Sequence, residues 1–135
     1  MVHYELLANE RRKLMDKMND FETILQGRFQ YTADIGERLV FLKYYLDCCR
    51  RIEESIMSIH GVQAYTGYYE KYSGLNSNIA LLLKQVLDNT AVSTIITAGN
   101  HVLHTVRRHI EQFDISLKGV VVTKQVSKET SCLRI

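Results

Sequence analysis

The residues with metal-like chemistry cluster at His101, His104 and Glu111, separated by three and then seven positions. Such spacing brings the two histidines onto neighbouring helical turns, with Glu111 on the same side about two turns further on. At about 100° per residue, however, they point away from Leu103, Val106, Ile110 and Phe113 and lie beside Arg108, so they belong to a solvated face. A carboxylate-bridged centre inside a helical bundle would want Glu and Glu-x-x-His groups aimed inward, and the chain carries no such pair. Neither a metal nor any other cofactor is expected.

Cys48 and Cys49 are adjacent, so on a helix their thiols diverge by about 100° and do not make a CxxC redox pair. Cys49 reads as a small core residue. With Cys132 the count is three, which fits reduced thiols and an intracellular, cytoplasmic location. Cys132-Leu133-Arg134-Ile135 has the outline of a prenylation box, but Arg134 stands where an aliphatic residue is needed, and only the scattered Lys118, Lys124 and Lys128 precede it.

The chain shows no GxSxG elbow, P-loop, GxGxxG turn or kinase-like sequence. It reads as a protein without catalytic activity. Arg50-Arg51 and Arg107-Arg108-His109 sit among Asp47, Glu53, Glu54 and Glu111, as expected of solvated helix faces. Seventeen Lys and Arg against fifteen Asp and Glu leave a net charge of +2, and no aromatic platform is interleaved with a basic stripe, so nucleic acid is not expected as a partner. Tyr65, Tyr68, Tyr69 and Tyr72 are the more suggestive group. Their spacing of i, i+3, i+4 and i+7 makes one aromatic face on a helix, and tyrosine supplies contact area with a polar tip. These four, with Gly67 and Gly74 nearby, are the expected partner-binding residues; packing at a bundle end is the competing explanation.

The elements that carry these residues follow from apolar periodicity. Leu7, Leu14, Met18, Phe21 and Leu25 mark one side of a first helix, with charges on the other. Ile35, Leu39, Leu42, Leu46, Cys49, Ile52, Ile56 and Ile59 step by threes and fours through a second, which Gly61 stops. A third, capped by Asn76 or Ser77, carries Ile79, Leu82, Leu83, Val86 and Leu87. β-Branched residues from Thr90 to Thr97 are poor helix formers and Gly99-Asn100 could punctuate the chain. The stripe nevertheless runs on through Val92, Ile96, Leu103, Val106, Ile110, Phe113 and Leu117, which predicts helix as far as Lys118. Val120 to Thr123 has strand chemistry without a partner strand, so residues 119–135 are expected to be an irregular tail.

The 135 residues contain no proline, and 46% are hydrophobic, the balance of one domain. The N-terminus runs into Arg11-Arg12-Lys13 without an apolar stretch of its own, which argues against a cleaved secretion signal. The longest aliphatic run, Ile79 to Leu83, is too short for a transmembrane segment. The expected fold is all-α: an elongated antiparallel bundle of about four helices over residues 1–118, with arms near 4–30, 34–60, 63–89 and 91–118. A long helical hairpin is the alternative if the breaks near Tyr31 and Thr90 are not real. Leu39, Leu42, Leu46, Ile52, Ile56, Leu82, Val86, Leu103, Val106 and Ile110 are expected inside. So many seam positions and so little site chemistry suggest a scaffold or adaptor subunit of a homo- or hetero-oligomer, with protein partners bound through coiled-coil-like helix packing. The alternative is a monomeric helical chaperone or regulatory module that clasps a partner helix.

Overall fold

Four amphipathic segments, uninterrupted by proline, form the four helices found among the described residues. The computed structural model describes residues 2–27 and 32–131. Helix α1 is Val2–Gln26, α2 Thr32–His60, α3 Tyr68–Leu87 and α4 Val92–Ser131. Each packs on its neighbour in the chain, and α4 closes the bundle against α1. Side-chain contacts fix every adjacent pair as antiparallel: Arg11 meets Glu53 while Lys17 lies over Phe41, Lys43 bonds Asn76, Lys71 bonds Gln112, and Glu22 pairs with Arg107. This is an up-down-up-down bundle, and the long hairpin does not form.

Two left-handed residues make the sharp stops. After α2, Gly61 has φ 67°, and the Val62 N–H reaches back to the Met57 carbonyl at 3.1 Å. Val62 and Met57 are both buried, completing the hydrophobic contact usual in this helix ending. After α3, Asn89 takes the left-handed position at φ 55°, and the Thr90 N–H bonds the Gln85 carbonyl at 3.0 Å. The break expected near Thr90 is therefore real. The start of α3 differs from the sequence reading: it begins at Tyr68 behind Gly67, which has φ 88°, not at Asn76 or Ser77.

The β-branched run after Thr90 is helical because packing outweighs propensity. Ile95 is fully buried, and Thr97 and Thr105 donate their hydroxyls to the Ser93 and His101 carbonyls one turn back. Gly99 does not punctuate the chain. It is buried inside α4, where a Cβ would stand 2.7 Å from Leu25 Cδ1 and 3.3 Å from the Phe21 ring, so it allows α4 to approach α1 closely. Gly99→Val should lower stability by about 1–3 kcal/mol, as overpacking a filled core does. Urea denaturation followed by circular dichroism measures it, and an unchanged midpoint would show that this approach is not tight.

Helix α4 also corrects the expected irregular tail, since it continues through Gly119 to Ser131; extending a formed helix costs far less than starting one. The prenylation-like residues from Cys132 to Ile135 and the segment 28–31 around Tyr31 lie outside the described residues. Eight of the ten expected interior residues are buried, from Leu39 through Val106, whereas Ile52 and Ile110 are only partly covered. Ile59, also assigned to the seam, is exposed. No helix among the described residues is long and apolar enough to cross a membrane.

Candidate functional site

A polar layer crosses the bundle interior, built from one or two seam positions of every helix. In α2 the buried seam is Ile35, Leu39, Leu42, Leu46, Cys49, Glu53 and Ile56, a strict alternation of fours and threes that puts a carboxylate among apolar residues. Buried α4 residues Val102, Val106, His109 and Phe113 repeat the pattern, as do Tyr68, Tyr72, Leu75, Ile79, Leu82 and Val86 in α3. In α1, Arg11 occupies the position between Leu7 and Leu14. Because neighbouring helices run antiparallel, these positions come to one level near the α2–α3 end.

Glu53 is the hub, with no exposed surface. Its Oε1 accepts hydrogen bonds from the Tyr68 hydroxyl at 3.0 Å and the Tyr72 hydroxyl at 2.9 Å. Its Oε2 pairs with the Arg11 guanidinium at 3.0 Å. His109, also fully buried, brings Nε2 to 3.1 Å from Oε1 and 3.3 Å from Oε2. A carboxylate only accepts, so Nε2 carries the proton of that bond. The other ring nitrogen, Nδ1, is 2.6 Å from the Tyr65 hydroxyl, and Arg11 is shared with Asp114 on the α4 surface. The Tyr68 ring meets Tyr65 and Tyr72 edge-on, and the Arg11 guanidinium lies over Phe113.

The electrostatics keep this layer ionic. Burial alone would push the Glu53 carboxyl upward, but hydrogen bonds from His109 and Arg11, together with the Arg11 charge, outweigh it and hold the group below its ordinary value. Burial likewise works against the Arg11 charge and is overcome by Asp114 and Glu53. The hydroxyls respond in the opposite direction: desolvation, reinforced by the Glu53 charge, raises Tyr68 and Tyr72 strongly and Tyr65 to about 12, keeping all three as neutral donors. Cys49, one turn from Glu53, is pushed up to about 12 by burial and by the same charge, which leaves its thiol unreactive, as suits a core residue.

The expected tyrosine face is thereby divided. Tyr68 and Tyr72 are spent on the interior, Tyr65 is half-buried on the connector between α2 and α3, and Tyr69 alone of the four stands outward, 62% exposed. It lines a cleft of about 640 Å³ with Glu54, Met57, Ser58, Val62, Gln63 and Ala64. His101, His104 and Glu111 do lie on an exposed face. Arg51 and Arg108 are exposed too, Arg107 makes a two-pronged pair with Glu22 at 3.0 and 3.2 Å, and Arg50 lies over the Tyr72 ring.

Glu53 and His109 correct the reading that placed every charged group on a solvated face. The signal that could have found Glu53 is regularity, since taking it in place of Ile52 turns an uneven stripe into an even one; the α4 stripe from Leu103 was already even, and His109 belongs to a neighbouring register through Val102, Val106 and Phe113. The Glu53 carboxylate is saturated, for it receives four donor groups and leaves no position on itself for a substrate. Compared with protein-family models, with curated proteins and with solved structures, the chain matches none.

Proposed function

We propose that the protein is a non-enzymatic helical adaptor or scaffold subunit that binds other proteins through the outer faces of its helices. The observation that carries this reading is the outer face of α2, where Val40, Phe41 and Tyr44 stand 54%, 45% and 61% exposed on adjoining turns. Tyr44 continues into a shallow groove between α1 and α2 that mixes Leu6, Tyr45, Cys48 and Ile52 with the charged Glu10, Lys13 and Arg51. Aromatic and aliphatic groups of this kind form the centres of protein interfaces. Tyr69 adds a second exposed ring beside the α2–α3 connector. The absence of catalysis is part of the proposal and is supported by the saturation of the Glu53 carboxylate with donors from this chain. An intracellular setting is proposed on the free thiols of Cys48 and Cys49.

One observation favours the alternative of a monomeric binding module: the inner seams are filled by the chain's own four helices, which leaves only outer faces for a partner. Light scattering separates the two. The Phe41→Glu, Tyr44→Glu double variant should keep the helical content and thermal midpoint of the parent while losing self-association or capture of its partner by at least about tenfold, the loss expected when central aromatic contacts are removed. A parent that runs as a clean 15.6 kDa species and recovers no partner in a pull-down removes the scaffold reading.

A further inference from the structure

The polar layer is sealed on one side by a residue outside the helices. Arg11, Glu53, Tyr68, Tyr72 and His109 all stand on helices, whereas Tyr65 belongs to the short connector between α2 and α3. Both ends of that connector are fixed by left-handed glycines, Gly61 at φ 67° and Gly67 at φ 88°. Neither glycine has an atom within 4 Å of where a Cβ would stand, so backbone conformation and not crowding calls for glycine there. Turn bonds from Val62 to Met57 and from Tyr68 to Tyr65 frame the connector. Across it, one polar side-chain contact reaches the interior: the Tyr65 hydroxyl on His109 Nδ1. On its other side Gln63 and Ala64 wall the cleft that also holds Tyr69, which gives the segment room to move.

We propose that residues 63–66 form a gate over the Glu53 layer, latched by the Tyr65 hydroxyl on His109, whose opening admits water and small polar solutes to the imidazole. Two features set its mechanics. The latch holds the one imidazole nitrogen that Glu53 does not, so releasing Tyr65 frees Nδ1 while Nε2 stays on the carboxylate and the four helices stay packed. The Tyr65 ring, 5.7 Å from the His109 ring and 5.5 Å from that of Tyr68, is also the cover, so outward rotation uncovers both. Opening sacrifices the Tyr65–His109 hydrogen bond and the Tyr65 ring contacts with His109 and Tyr68, a cost far below that of unfolding the bundle, and this places it among local openings.

Carbethoxylation of histidine by diethyl pyrocarbonate, read by mass spectrometry on the intact full chain, tests the gate. The exposed His101 and His104 serve as internal references. In the parent, His109 should react more slowly than the references but at a rate that does not change with urea below the unfolding transition. Tyr65→Phe keeps the cover and removes the latch, so it should speed reaction at His109 by about threefold to tenfold while His101 and His104 keep their rates. Modification of His109 only in step with loss of helical circular dichroism would overturn the proposal. So would a Tyr65→Phe rate equal to that of the parent. The urea dependence is measured on the parent, so the test stands even if the variant folds poorly.

Discussion

Glu53→Ala should destabilise the bundle by about 3–5 kcal/mol, more than the loss of any single neutral hydrogen bond, because it strands the charges and donors assembled around it. Arg11 would keep only the surface contact with Asp114, while Tyr68 and Tyr72 would each point a hydroxyl into a dry cavity. Urea denaturation gives the magnitude, and a loss under about 1 kcal/mol would mean that water enters the layer freely. The same residue sets an acid dependence. The Glu53 carboxyl is held below its ordinary value of 4.5 in the folded protein, so the stability it contributes is fully present above that value and is lost as pH falls through the depressed one. Glu53→Gln removes that ionisation, and its unfolding midpoint should fall less steeply than the parent's across the acidic range.

The fold was legible because three of the four seams are written in apolar residues over most of their length. Leu39, Leu42 and Leu46 in α2 and Leu82 and Val86 in α3 could point nowhere but inward, and Gly61 marked the end of α2 by the conformation it alone takes cheaply. The polar layer was hidden by residue type. Arg11, Glu53 and His109 look like surface residues singly, and their burial is tolerable only because each finds partners on other helices, a fact that a one-dimensional pattern does not contain. Its trace was a gap: seven residues separate Leu7 from Leu14, where Arg11 fills the missing step. The C-terminal valines misled for a related reason. Val120, Val121 and Val122 have strand propensity, but propensity acts weakly against the continuation of a helix that has already run from Val92 to Gly119.

Replacing the whole layer should have the opposite outcome to breaking it. In a variant carrying Arg11→Met, Glu53→Leu, Tyr68→Phe, Tyr72→Phe and His109→Leu, no charge or hydroxyl of the helical layer remains to be desolvated, and the new side chains have similar bulk. Tyr65, half-buried on the connector, can turn its hydroxyl to water. Buried ionic groups replaced together by apolar ones commonly leave stability unchanged or raise it by about 1–4 kcal/mol, so this variant should recover everything that Glu53→Ala loses. If it instead unfolds as readily as Glu53→Ala, the layer contributes net stability and the desolvation argument fails for this bundle. Recovery would carry a further consequence. Glu53 bonds to α1, α3 and α4 at once, and a four-way contact between groups of defined geometry is satisfied at one register only. Leucine and phenylalanine impose no such condition. The apolar variant should therefore be stable yet less singly ordered, with amide resonances near positions 53, 72 and 109 broadened or doubled relative to the parent. Sharp single resonances throughout would assign register to the apolar layers alone and leave access to His109 as the layer's remaining role.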